Sequence, residues 1–410
     1  MGSKRHRFPS TSMQDSILKV PVLPEELIFE ILSRLPVKPL LKFRCVSKSW
    51  LALISSPEFI KTHLSLSADN KDYTRHWHFM LSFDRPKYNL KECSLSSSVS
   101  GLFTEAYDLY FPLKNQSKII WVVVGSINGL VCFSDPENNL FLWNPSTREY
   151  KKLPNFGTDL RYADHSRYGF GYDELHDDYK VVGFIYCSRN WSLNEVKIYS
   201  LKDDSWRSVH PPMDGLGVYG SGKFVNGKLH WANHTTGVVF DRFWNIISLD
   251  LADGKWEKVD KPCNGEEGGV LVLGVLGNNL CAINGGVLSK DSHLGTDINV
   301  WVMKKYLVKE SWTKMFTVKY PHCPVSMVAE TAFLIPNKDE ILLVFGGKFF
   351  LYNLKDESIT YPKIPVFGFG VDSVVTTYLG SLVSPVLQNG PRTQQEWGVR
   401  KLKRTQLCKQ

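Results

Sequence analysis

Paired cysteines are the first thing this 410-residue chain lacks: its eight cysteines are scattered, and no two stand as Cys-x-x-Cys. That argues against a disulfide framework or a zinc ribbon and makes reduced thiols the expectation. There is no apolar run of about 18 residues, so no membrane-spanning helix is expected. The opening "MGSKRHRFPS" has no apolar centre of a secretory signal, His6 stands where a myristoylation signal wants Ser or Thr, and Cys408 lies too near the end for prenylation. A soluble chain of the cytoplasm and/or nucleus is the expectation, with no membrane partner and with the sequons at Asn115, Asn190 and Asn233 unused.

Charge is missing from the body of the chain. The formal net charge is +8, and residues 1–20 at +3 together with residues 389–410 at +5 account for all of it. A nucleic-acid domain carries its basic excess on a folded face, so no nucleic-acid partner is expected. The two basic tails read as solubilising segments or weak nuclear-import signals.

A catalytic constellation is missing too. In "GLGVYGSGKF", Gly215, Gly217 and Gly220 fit G-x-G-x-x-G, and Gly217, Gly222 and Lys223 nearly fit a P-loop. Phe224 replaces the magnesium-binding Ser or Thr, no apolar strand precedes and no helix follows. The stretch reads as a flexible loop. His76 and His78 alternate on a strand with no Cys or carboxylate at ligand spacing. Cys45 has no acid–base partner nearby and reads as a buried, inert thiol. "DELHDD" (173–178) reads as a turn. No enzyme activity, metal or cofactor is expected.

What is present begins with "LPEELIFEILSRLPVKPLLKFRCVSKSWLALI", Leu23 to Ile54. Pro24 suits a first helical position, with Glu25 and Glu26 where the helix dipole favours negative charge. Leu27, Ile28, Ile31, Leu32 and Leu35 follow at helical spacing. Pro36 stops that helix, Pro39 can start a second, "SKSWLALI" supplies a third and Pro57 a fourth. About 45 residues is near the lower limit for an independent core. The apolar residues wrap more than one side of the first helix, so part of its surface needs a partner.

From about residue 75 the pattern becomes strands, and the strands repeat. "LFLWNPSTREYKKLP" (140–154), "VKIYSLKDDSWRSV" (196–209), "IISLDLADGKWEKV" (246–259), "INVWVMKKYLVKESWTKM" (298–315) and "FFLYNLKDESITYPKI" (349–364) each read as strand, polar turn and second strand. Their landmarks Tyr150, Trp206, Trp256, Trp312 and Ile359 are 56, 50, 56 and 47 apart, the spacing of kelch-like propeller blades. "INGLVCF", "FVNGKLHW" and "LGNNLCAI" each place a tight Asn-Gly or Asn-Asn turn before an apolar strand. Residues 75–113 and 366–385 supply one more blade between them, closing a ring of about six.

The strings of the head, from Leu-Pro through Arg-Leu-Pro-Val-Lys to Phe-Arg-Cys-Val-Ser-Lys-Ser-Trp, resemble an F-box of the form common in plants. "NGLVCF", "LWNPSTREYKKLP", "YGFGYDELHDDYKVV" and "VNGKLHWAN" resemble the F-box-associated interaction domain. Double glycines of the kind that mark true kelch repeats stand as "NGG" at 284–286 and "FGG" at 345–347. The resemblance implies an α+β multidomain chain: a basic tail (1–20), a helical F-box (21–66), a linker (67–74), an all-β kelch-like propeller (75–388) and a basic tail (389–410).

It further implies docking on a Skp-family adaptor and, through it, on a cullin and a RING subunit, as the substrate receptor of a ubiquitin ligase. Leu23, Pro24, Leu27, Ile28, Ile31, Leu32, Leu35, Pro36, Leu40, Leu41, Val46 and Trp50 match the F-box signature. Those facing the adaptor are its anchors, while some, Trp50 and Leu41 above all, fit the bundle core equally well. An inert adaptor binder is the alternative function.

Three connections between second and third strands, 187–194, 233–245 and 285–297, exceed the roughly 2–5 residues a hairpin needs, and excess length suggests binding. They hold Arg189, Trp191, Arg242, Phe243, Trp244 and His293, and an inter-blade stretch adds Arg161, Tyr162 and Arg167. These are the candidates for holding a target protein, with Phe243 and Trp244 equally readable as the start of a strand packed between blades.

Overall fold

The structure, a computed structural model, describes residues 23–69, 76–83, 89–94, 107–109, 122–135, 137–156, 166–186, 193–212, 216–235, 244–262, 270–285, 296–320, 329–335, 340–345, 348–360 and 374–386. The chain opens with four short helices, α1 (Glu25–Ser33), α2 (Val37–Phe43), α3 (Lys48–Ile54) and α4 (Pro57–Asp69). Pro24 lies one place before α1 as its cap. Pro36 caps α2, so Pro39 falls inside that helix and not at its start; the first-turn N–H groups have no intrahelical partner, so a proline there loses nothing. Ser47 Oγ accepts the Trp50 N–H at 3.1 Å and starts α3. α4 continues to Asp69, beyond the expected end of the head at residue 66, and buries Ser67 on the way.

Among the described residues that follow, the regular structure is strand apart from a short 3-10 helix at Lys309–Ser311. Blade one pairs β1 (Trp77–Phe83), β2 (Asn89–Ser94) and β3 (Tyr107–Asp108) with β24 (Val374–Leu379) from the far end of the chain. Blade two is β4 (Val122–Ile127), β5 (Leu130–Ser134), β6 (Leu140–Asn144) and β7 (Glu149–Lys152). Blade three is β8 (Arg167–Asp173), β9 (Asp178–Tyr186), β10 (Leu193–Ser200) and β11 (Ser205–Val209). Blade four is β12 (Leu216–Val225), β13 (Lys228–Thr235), β14 (Asn245–Asp250) and β15 (Trp256–Val259). Blade five is β16 (Val270–Leu276), β17 (Asn279–Gly285), β18 (Thr296–Met303) and β19 (Trp312–Tyr320). Blade six is β20 (Ala329–Ile335), β21 (Glu340–Phe345), β22 (Lys348–Asn353) and β23 (Ile359–Thr360).

Counted by hydrogen bonding, four sheets have four strands and one has eight. The eight-stranded sheet is blades three and four joined by a single parallel step, Gly169 opposite Gly222. The innermost strands β24, β4, β8, β12, β16 and β20 neighbour one another in a closed cycle. The arrangement is thus a six-unit propeller, and the strand that closes it comes from the C-terminal side.

Tight turns and indoles explain the period seen in the sequence. Asn128–Gly129 and Asn226–Gly227 take left-handed backbone angles between first and second strands, the conformation that a two-residue hairpin matching sheet twist requires. In blade five the turn is Gly277–Asn278, one residue earlier than the Asn-Asn pair suggested. Trp206, Trp256 and Trp312, each on an outer strand, donate their indole N–H to Pro154, His210 and Asp260 carbonyls of the preceding blade at 2.7, 2.9 and 2.7 Å. Blades three, four and five therefore each end by fastening themselves to the blade before. Between blades lie apolar clusters such as Leu142, Phe170 and Tyr199, or Phe184, Trp231 and Leu249.

Candidate interaction surfaces

The helical head presents apolar side chains on one flank. Leu27 and Ile31 lie one turn apart on the same side of α1, Leu23 stands just before the cap Pro24, and the three are 46%, 54% and 46% exposed. Val46, in the turn after α2, is 62% exposed, and Pro24 is exposed beside Leu23. The other signature residues serve the bundle itself. Leu32 and Leu40 are buried in its core with Val37, Ile54 and Phe59, so neither is available as a surface anchor. Ile28, Leu35, Leu41 and Trp50 are half-buried against that core, Trp50 edge-on to Phe43 at 5.5 Å; Pro36 is half-buried as well. Cys45, expected to be buried, is exposed: α2 ends at Phe43, which takes the inward position, and Cys45 falls in the turn that follows.

The head does not hang on a free tether. Leu382, three residues beyond the ring-closing β24, is 2% exposed as a member of the head core. His63 on α4 is fully buried, its Nε2 2.9 Å from the Leu35 carbonyl, and its ring meets that of His76, the residue before β1, at 6.2 Å. Burial lowers the pKa of His63, opposed by the Leu35 carbonyl. Gly380 N–H donates to the His76 carbonyl at 2.7 Å, fixing the same corner.

Polar contacts border this junction. Lys61 Nζ is 2.5 Å from Asp177 at the β8–β9 turn, and Tyr172 donates to the same carboxylate. Both partners of the Lys61 pair are more than half exposed, so the pair adds little strength and the apolar plug carries the joint. His78 Nδ1 and Lys38 Nζ lie 2.9 and 3.4 Å from Glu92 Oε1. Burial alone would raise Glu92; His78, Lys38 and Tyr378 outweigh it and hold the carboxyl at about 2. None of Lys61, His63, His76 or Leu382 was legible as a junction residue, because contacts between distant segments leave no local pattern.

The junction lies at the end of the ring that carries the turns between first and second strands. The three long connections, from β9 to β10, β13 to β14 and β17 to β18, leave from the opposite end. Of the residues expected there, Arg161, Tyr162, Arg189, Trp191, Arg242, Phe243 and His293 lie outside the described residues. Trp244 is described and is no surface residue: it is 5% exposed, packed edge-on to Tyr219 among side chains of blades four and five. It begins a strand, and its place in the alternation turns it inward. Arg167 is half-buried at the start of β8, its guanidinium 3.2 Å from the Ser166 carbonyl.

Other sequence signals have structural roles. "GLGVYGSGKF" is mostly β12, not a flexible loop, because the glycines make room for Trp231: a Cβ on Gly169 or Gly222 would lie 2.6 Å from its ring. In "DELHDD", Asp173 accepts Lys180 Nζ at 2.6 Å and the Leu175 and His176 N–H groups, tying a turn together. Asn233 is fully buried on β13, where no glycan could be attached.

Comparison with known proteins agrees with this division. Residues 21–62 match the model of the F-box domain, and residues 80–385 match that of the F-box associated beta propeller domain. The F-box/kelch-repeat protein At3g23880 of Arabidopsis thaliana is 32% identical over 88% of this chain and 96% of its own length. The F-box protein CPR1 of the same plant is 32% identical over 73% of each. Among solved structures, a chain from a nidogen/laminin complex overlays with a TM-score of 0.44 at 9% identity, over 74% of this chain and 99% of that one.

Proposed function

Because this chain belongs to the F-box proteins that carry an F-box-associated β-propeller, we propose that it is the substrate-recognition subunit of a Skp–cullin–F-box ubiquitin ligase. The observation that carries the reading is the exposed stripe Leu23–Leu27–Ile31 with Val46, on a helix anchored to the ring through Leu382. Buried apolar anchors dominate the energy of such interfaces. The head engages a Skp-family adaptor and, through it, a cullin and a RING subunit, in cytoplasm or nucleus. The far face of the ring holds the target protein.

The chain contributes no catalysis of its own in this scheme. It raises the local concentration of target lysines beside a charged ubiquitin enzyme, and effective concentration does the rest. The test is capture of adaptor and cullin by the full chain, alongside a Leu27→Asp, Ile31→Asp double variant. These two residues are exposed, so the substitutions leave the head core intact. Capture lost in the variant supports the reading; capture retained, or no capture by the intact chain, overturns it. Capture of the adaptor without ubiquitin transfer to any bound protein would instead favour an inert binder.

A further inference from the structure

Blade four carries a polar site that the packing of the ring does not use. Between Tyr219 and Lys223 the register of β12 against β13 slips: Tyr219 faces Ala232 and Lys223 faces His230, so β12 carries two extra residues. Such a bulge frees backbone N–H groups from the ladder. Gly220 sits in it at φ +69°, with open space where a side chain would be.

On the neighbouring strand, Trp231 and Asn233 alternate onto the face turned toward blade three. Both are fully buried, and Trp231 Nε1, Asn233 Nδ2 and Asn233 Oδ1 have no hydrogen-bond partner. Orphaned buried polar atoms are rare, and each needs a reason. A cationic group flanks the same place. Arg167 is two residues before Gly169, the residue that meets Gly222 across the step between blades. It is near enough to Tyr186 and Tyr219 to oppose the rise that burial gives both hydroxyls, and among the described residues no carboxylate pairs with it. Lys223, which ends the bulge, pairs with His230 and so turns to the opposite face, toward Tyr306 of blade five, and is not part of this set.

We propose that the β12 bulge, with Arg167, Asn233 and Trp231, is a binding site for an oxyanion, a phosphate or carboxylate group entering from the open end of the ring. Donors dominate the set: a guanidinium, an indole N–H, an amide and loosened backbone N–H groups, the combination that anions select. This end of the ring is the face proposed for the target, so the site deepens that reading by giving the target an acidic or phosphorylated side chain. Oxyanion binding by the chain alone needs no adaptor, and its failure is distinguishable from failure of ligase assembly.

The test uses the full chain in phosphate-free buffer, titrated with inorganic phosphate and, separately, with acetate at ionic strength matched by sodium chloride, followed by thermal unfolding and calorimetry. One oxyanion is expected to raise the unfolding midpoint where chloride does not, and which of the two does so names the group. Arg167→Met should weaken that binding at least about tenfold, as loss of a charge-assisted contact does, and Arg167→Lys should restore part of it. Asn233→Leu should abolish the response while leaving the unliganded chain as stable as before or more so, because it removes two unsatisfied polar atoms. No midpoint shift with either anion, an unchanged response in Arg167→Met, or a loss of unliganded stability in Asn233→Leu would overturn the site. In the last case Asn233 would be serving the fold, through ordered water, and not a ligand.

Discussion

Truncating Leu382 to alanine should loosen the helical head without touching the far blades. Leu382 is 2% exposed and packs with Leu32, Val37, Leu40, Ile54 and Phe59. Removing a leucine so enclosed costs about 2–5 kcal/mol, depending on how far the site collapses. The helices around it are short and separately capped, so partial collapse is expected and about 3 kcal/mol is a fair value, roughly a 150-fold rise in the open population of the head. Native-state amide hydrogen exchange on the full chain measures this directly. Peptides from α1 to α4 should exchange faster together, by about two decades, while those from β16 to β19 stay as they were. Leu66→Ala, at a position 41% exposed on α4, is the control and should change little. If head peptides in Leu382→Ala quickened by less than about threefold, Leu382 would not be a core residue of the head, and the 3 kcal/mol assignment would fall. Blade five quickening equally would refute the separation of head from ring.

Two further outcomes follow from single contacts. Trp256→Phe removes the indole N–H that reaches the His210 carbonyl at 2.9 Å; it should cost about 1–2 kcal/mol in urea unfolding, with Trp206→Phe and Trp312→Phe alike, and unchanged midpoints in all three would deny these bonds any role in joining blades. Glu92→Gln should flatten the acid limb of the stability curve. Glu92 is held at about 2 in the fold, below its value of about 4.3 in an unfolded chain, so its contribution is present above about pH 4.3 and is lost as pH falls toward 2. Urea midpoints of wild type and variant should therefore converge across that window, and parallel curves would show that the Glu92 contacts do not matter to folding.

The period of the ring was readable because several repeats end in the same way. In blades three to five an outer-strand tryptophan reaches a carbonyl of the preceding blade, and in blades two and four an Asn-Gly pair turns the first hairpin, so both recur in the sequence. The composite blade was readable for a related reason: strand-like stretches at both ends of the repeats were left without partners. Within the head, helical spacing identified the apolar residues but could not sort them, since Leu32 and Ile31 differ by one position and 100° of rotation, yet one is buried and the other 54% exposed. Trp244 misled as a loop anchor because a large aromatic at a strand start looks the same whether it faces in or out. The glycines of β12 resembled a phosphate loop, yet Gly222 clears space for Trp231 and Gly220 takes the left-handed turn of a bulge. Junction residues left no trace at all, for Leu382 and Leu32 are brought together only by closing the ring.

That closure has a mechanical consequence for the proposed receptor. β24 both completes blade one and leads directly into Leu382, so the strand that shuts the ring also seats the head. The head cannot swing without withdrawing a buried leucine. Strands of seven to ten residues, such as β8, β9 and β12, set the distance between the joint and the opposite face at roughly 25–30 Å, at about 3.3 Å per residue. A target held on that face is thus presented at a fixed reach from the adaptor. Lengthening the connection after Asp69 by several glycines should leave ubiquitin transfer nearly unchanged, whereas Leu382→Asp, which frees the head, should impair transfer even where adaptor and target both still bind. Equal sensitivity to the two changes would mean that the tether, and not the buried joint, sets the geometry.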